Sequence, residues 1–162
     1  MQETRERLVR WEDPQPTIAF VRASSGLEAI RAIRDGLIPR PPISVLTNFT
    51  ILAADEGRVV VEGYPGEEHS NPIGTVHGGF ALTLFDTAMS CAIHTLLPAG
   101  VGYTTTDIQV RFIRGITKET GPVHCEGIAL HVGRSTAVAE GKLRDGAGKL
   151  LAVGTTACAI LR

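Results

Sequence analysis

Cysteine is scarce here and badly spaced for chemistry. The chain has three, Cys91, Cys125 and Cys158, each more than thirty positions from the next, with no C-x-x-C pair. An odd, dispersed set argues against a disulfide framework and against a zinc site, so the thiols read as core fillers in a reducing compartment. Aromatic residues make up only 5%, and 16 Lys+Arg stand against 17 Asp+Glu for a net charge of −1. Without a basic stripe interleaved with aromatics, nucleic acid is not an expected partner. No long unbroken apolar run exists either: the most apolar stretch is interrupted by Asp86 and His94, and the first residues carry both signs of charge with no apolar segment behind them. Neither a membrane span nor a leader is expected, and the protein reads as cytoplasmic.

Several reactive motifs are also missing. There is no G-x-S-x-G elbow, no H-E-x-x-H and no G-x-x-x-x-G-K-[ST]; Gly100-Val101-Gly102 begins like a dinucleotide fingerprint, but Thr105 stands where the third glycine belongs. No nucleotide cofactor, redox group or metal is indicated. What is present is ordinary for one domain: 162 residues, 43% of them hydrophobic. Such a chain buries roughly 70% of its unfolded surface and needs no staple.

The order of patterns gives the fold class. Residues 1–23 mix charge with Pro14 and Pro16 and read as an irregular or partly helical arm. Ser24-Ser25 offer an N-cap for a short helix bearing Leu27, Ile30, Ile33 and Leu37, with Gly36 at its end and Pro39-Arg40-Pro41-Pro42 stopping it. Phe49–Ala53 and Arg58–Tyr64 are strand-like runs around the hairpin signal Asp55-Glu56-Gly57. Gly78 to Leu97 is apolar on nearly every side, which predicts a central helix wrapped by other structure. Strands follow: Tyr103–Ile113, where Ile108, Val110 and Phe112 alternate with Asp107, Gln109 and Arg111, then Val123–Val132, Ser135–Arg144 and Leu150–Leu161. A hairpin, one buried helix and a run of antiparallel strands form an α+β pattern in which the sheet curls around the helix.

The polar residues of that helix are not scattered. At 100° per residue, Thr83, Asp86, Thr87, Ser90 and His94 fall within an arc of about 100°. A carboxylate in apolar surroundings is retained only when paired or used, because its burial alone costs several kcal/mol. Upstream, the loop from Asn71 delivers His77, Gly78 and Gly79 onto the first helical turn, where unpaired N–H groups and the dipole favour negative charge. An anion-stabilising helix start and a restrained carboxylate are the two parts that acyl transfer to water needs. Each has an ordinary reading as well: a tight glycine entry, a capping His77, a structural Asp86. Ser90 could bond the carboxylate or its own helix, and His94 is expected to meet the last carbonyls or solvent.

Asn71-x-x-Gly74-Thr75-x-His77-Gly78-Gly79, with Asp86 seven residues later, resembles the hotdog-fold acyl-CoA thioesterases of the phenylacetate-pathway (PaaI-like) family. The likeness runs from about Leu46 to Leu161 and includes Gly102-Tyr-Thr-Thr-Thr-Asp107, Gly133-Arg134-Ser-Thr and Asp145-Gly-Ala-Gly-Lys-Leu-Leu-Ala152; Ser25-Gly-Leu-Glu and Gly36 to Pro42 resemble the lead-in of one branch. The resemblance implies a hotdog domain over 46–162, preceded by an arm and short helix over 1–45. It implies hydrolysis of an acyl-CoA or aryl-acyl-CoA to free acid and CoA, without a cofactor. On matching positions, the Gly78 N–H polarises the thioester carbonyl and Asn71 orients the reacting group. Asp86 acts as base or nucleophile, and His77 holds the loop and the sulfur side. Gly79, Thr105 and Arg134 are expected against substrate, with Thr standing where some members carry Ser and Arg134 near the CoA phosphates. The site is implied to be split across a homodimer or homotetramer. Dehydration of a 3-hydroxyacyl thioester and non-catalytic acyl-CoA binding are the rival readings.

Overall fold

The first turn of a short helix, the turn of a hairpin and the end of the central helix meet at one point: the Gly26 N–H donates to the Leu97 carbonyl and the Gly57 N–H to Thr95 Oγ1. The computed structural model describes residues 3–162. Helix α1 (Gln15–Ala23) is followed by α2 (Gly26–Arg34), whose N-cap Ser25 accepts a hydrogen bond from the Glu28 N–H; Arg31 and Arg34 complement the dipole at the other end. Gly36 sits just beyond in the left-handed region at φ 70°, as such helix ends favour. Helix α2 thus ends before the proline cluster, which was expected to stop it; the cluster instead begins a further helix, α3 (Pro42–Leu46), with Pro42 in the first turn. That turn tolerates a residue without an N–H.

Strands β1 (Phe49–Asp55) and β2 (Arg58–Gly63) form the hairpin, and a polar loop then leads to the central helix α4 (Gly78–His94). Strands β3 (Gly102–Phe112), β4 (Val123–Val132), β5 (Thr136–Asp145) and β6 (Leu150–Leu161) complete an antiparallel sheet in the order β1-β2-β4-β5-β6-β3. Leu84, Phe85, Met89 and Ile93 of α4 are fully enclosed within the curve, each worth about 1.5–3 kcal/mol in transfer from water. The sheet comes close because β4, β5 and β6 place Gly127, Gly141 and Gly154 side by side under the helix. A Cβ at Gly127 would lie 2.3 Å from the Ala88 carbonyl oxygen, and one at Gly154 would lie 3.0 Å from Phe85.

Helix α2 docks on the far end of α4. The Gly26 N–H donates to the Leu97 carbonyl at 3.0 Å, and a Cβ there would sit 1.7 Å from the His94 carbonyl oxygen. His94 is correspondingly buried, with its ring 5.1 Å from that of Tyr103. Of the two expectations for it, solvent is excluded because α2 and β3 close over the end of the helix, and its ring makes no hydrogen bond to the last carbonyls among the described residues. Burial holds the His94 imidazole below its ordinary pKa.

Candidate active site

Strand β3 lies at one edge of the sheet and carries the device that aims a side chain at α4. Thr105 pairs with Cys158 and Asp107 with Ala157, so Thr106 is an extra residue, a β-bulge. Before the bulge, Tyr103 and Thr105 face the helix; after it, Ile108, Val110 and Phe112 do. The odd positions thus give way to the even ones without the strand turning over. Thr105 Oγ1 consequently donates to Asp86 Oδ1 at 2.8 Å, while Asp86 Oδ2 has no hydrogen-bond partner among the described residues.

Asp86 itself is exposed in the protomer, which corrects the expectation of a carboxylate enclosed by apolar neighbours. The sheet covers only part of α4 and leaves the flank of Thr83, Asp86 and Thr87 open or half-open, while Ser90 and His94 on the same arc are buried. Ser90 meets neither the carboxylate nor its own helix; its hydroxyl receives a long 3.4 Å contact from the Tyr103 O–H. Cys125 and Cys158 are core thiols, whereas Cys91 is half-buried on the flank next to Thr87. Burial pushes the Cys91 thiol up to about 12 and raises that of Cys158, so neither is poised as a nucleophile.

At the start of α4, His77 is the N-cap: its Nδ1 accepts from the Gly79 N–H at 2.9 Å. Nδ1 is therefore the lone-pair nitrogen, and the proton of a neutral ring sits on Nε2. The Gly78 N–H, one residue earlier, finds no acceptor among the described residues. It belongs to the unpaired first turn and carries the positive end of the dipole. Phe112 packs against it, since a Cβ at Gly78 would lie 3.0 Å from the Phe112 ring. The sequence alternation had placed Phe112 on the core face but had not connected it with this glycine.

The loop before His77 is held by Asn71, whose Oδ1 accepts from the Ile73 and Thr75 N–H groups and whose Nδ2 donates to Thr75 Oγ1. All of these bonds are internal, so Asn71 shapes the loop and its side chain has little left for a reacting group. A groove of about 400 Å³ runs past Asn71, Gly78 and Phe112, and one of about 510 Å³ past His77, Gly79 and His69. His69 was not singled out in the sequence. Its carbonyl accepts from the His77 N–H at 2.7 Å, its ring packs 4.7 Å from Phe80, and its Nε2 is buried without a partner. Arg134 stands apart, exposed on the β4–β5 turn near the C-terminal end of α4. Among the described residues no cluster of three or more His, Cys, Asp or Glu side chains could hold a metal, and no helix is long and apolar enough to cross a membrane.

A family model described as "Thioesterase superfamily" matches residues 73–152, which span the end of the capping loop, α4 and strands β3, β4 and β5. The chain has the hotdog fold, and over this central stretch it is similar to the thioesterase superfamily. The chain is 28% identical over 111 residues to a 1,4-dihydroxy-2-naphthoyl-CoA hydrolase of Listeria monocytogenes, covering 68% of this chain and 88% of that one. It is 43% identical over 49 residues to human acyl-coenzyme A thioesterase 13, a stretch that is 30% of this chain and 35% of the human one. The PaaI protein of the Escherichia coli phenylacetic acid degradation operon superposes with a TM-score of 0.73 at 18% identity, over 86% of this chain and 96% of PaaI. In hotdog terms α4 is the sausage and the sheet the bun, and the candidate residues all lie on the helix, its entry loop, the β3 edge or the β4–β5 turn.

Proposed function

We propose that the protein hydrolyses an acyl-CoA or aryl-acyl-CoA thioester to the free acid and CoA, at a site assembled from two subunits. The observation that carries this reading is the separation of its two reactive groups. Gly78 and Asp86 are eight residues apart on one helix, about 12 Å along its axis. An oxyanion donor and a base that act on one carbonyl must each come within about 3 Å of the reacting atoms. One copy of α4 cannot supply both, but a second copy set antiparallel against the open flank can bring its Gly78 to the first copy's Asp86. The uncovered edge of β3 and the exposed face around Asp86 are the surfaces available for that pairing.

In this arrangement the thioester carbonyl accepts the hydrogen bond of the free Gly78 N–H, with Gly79 keeping its own N–H on the His77 cap. The Nε2–H of His77 faces the sulfur side, and Asn71 keeps the loop in shape. Thr105 fixes one oxygen of Asp86, leaving the other to accept a proton from water. As that water attacks, a C–O bond forms to the carbonyl carbon, the C–S bond breaks, and the thiolate of CoA leaves and is protonated. If Asp86 attacks directly instead, a mixed anhydride forms first and water then releases the acid. Arg134, exposed and without an ion pair among the described residues, is assigned to the phosphates of CoA.

The test is a panel of acyl-CoAs with a thiol-reactive dye, run beside an enoyl-CoA whose ultraviolet absorbance is followed. Thiol release with unchanged enoyl absorbance is the expected result. Loss of enoyl absorbance would establish a hydratase or dehydratase, and binding without either signal would establish an acyl-CoA-binding module.

A further inference from the structure

A recess of about 120 Å³ lies between the N-terminal helices and α4. Ile30 and Ile33 of α2, Ile43 of α3 and Phe49 of β1 form its outer walls, and Thr87 and Cys91 form its floor on α4. The outer walls all fall before residue 73, outside the stretch that the superfamily model matches. The N-terminal helices and β1 build it against the flank of the helix that bears Asp86. Thr87 is the next residue after Asp86, and Cys91 lies one helical turn beyond Thr87.

The recess offers an occupant almost nothing polar. Arg40 at its rim is committed to the carbonyls of Phe49 at 2.8 Å and Ser44 at 3.2 Å, and Arg34 to Asp35 at 2.7 and 3.0 Å. The Ser44 hydroxyl donates to the Pro41 carbonyl and that of Thr87 to the Thr83 carbonyl, each at 2.8 Å. With its edge groups satisfied internally, the space suits an apolar group, and Arg40 fixes its width by tying α3 to β1. An apolar cavity of roughly 150 Å³ accepts a benzene molecule, so this one matches a single ring or a chain of comparable bulk.

We propose that this recess seats the acyl group of the thioester and sets the acyl size the enzyme accepts, with Ile33 and Ile43 as specificity-determining residues. The proposal rests on the thioesterase reading above. An acyl group lying along Thr87 and Cys91 leaves its carbonyl at the level of Asp86, where water is delivered. The enzyme then favours acyl groups about the size of hexanoyl or benzoyl over both acetyl, which leaves the recess empty, and long chains, which overrun it.

The experiment measures kcat/KM of the full-length protein for acetyl-, hexanoyl-, benzoyl- and decanoyl-CoA in the wild type, Ile43→Trp and Ile33→Ala, with melting curves for each. Ile43 is 48% exposed, so Trp can be added from the rim without disturbing the core. Ile43→Trp should lower the hexanoyl-to-acetyl ratio about tenfold or more, because a pocket contact of this size discriminates by that order. Ile33→Ala should move the preference toward decanoyl-CoA. Should Ile43→Trp fail to fold, the shift in Ile33→Ala alone decides. Folded variants whose acyl profile equals that of an active wild type overturn this proposal and leave the thioesterase reading standing. A wild type inert toward every acyl-CoA overturns both.

Discussion

The hydroxyl of Thr105 reaches across from the bulged edge strand to the carboxylate of Asp86, at 2.8 Å. This bond fixes one oxygen of an exposed acid and leaves the other open, and it gives the two residues separable roles.

Asp86→Asn keeps volume and accepts the Thr105 hydrogen bond but cannot take a proton. Turnover in a single-turnover assay should fall at least ~100-fold. Because Asp86 is exposed and has no ion pair among the described residues, stability should change by less than about 1 kcal/mol, roughly 2–4 °C in melting temperature. Near-normal turnover would remove Asp86 from the mechanism and make His77 the candidate base. Thr105 is a positioning residue: Thr105→Val should cost about tenfold in kcat with little change in KM, and Thr105→Ser should restore it.

The divided site makes a complementation experiment decisive. Gly78→Pro removes the N–H that has no acceptor among the described residues, and proline is tolerated in the first helical turn. Asp86→Asn and Gly78→Pro subunits, each inactive alone, should regain up to about a quarter to half of wild-type activity per site when co-assembled, since one intact site forms in each mixed dimer. Sedimentation of the wild type should show a dimer or a larger even assembly. An active monomer, or mixed subunits that stay dead, would dispose of the shared site.

Acid should weaken the protein through its buried imidazoles. His94 and His69 are both held below the usual histidine pKa by burial. Between their lowered native values and about 6.5, the unfolded chain therefore binds more protons than the folded one. Stability is full above that window and declines as pH falls through it, levelling off below the native pKa. His94→Gln should be less stable than wild type at pH 8 but show a shallower decline from pH 7 to pH 5 in denaturant titrations. Parallel curves would mean that His94 contributes nothing to the acid response.

Much of this architecture could be read from the chain. The apolar density of Phe80 to Ile93 required a wrapped helix, and the hairpin and the later strands fell close to their observed bounds. Four features could not be read, each for a physical reason. Strict alternation backwards from Ile108 puts Thr105 on the opposite face, because the inserted Thr106 has no signature in residue type. Helix hydropathy counts the apolar neighbours of Asp86 but does not say which flank the sheet leaves open. Pro41 and Pro42 read as a stop, although proline is equally at home in a first helical turn. The candidate glycines and histidine were visible as a loop-to-helix motif, but the unpaired state of the Gly78 N–H, as against the capped Gly79, needed the geometry.

The absence of a side chain at Gly26 sets a mechanical stop between two helices. There α2 presses its backbone on the end of α4, within a space that excludes even a methyl group, and the Gly26 N–H is tied to the Leu97 carbonyl. Any larger residue at 26 has to lever α2 away from that end, and because α2 is a rigid rod, its far end must swing with the near one. One hydrogen atom in place of a methyl group therefore gauges the spacing of the two helices along their whole shared length.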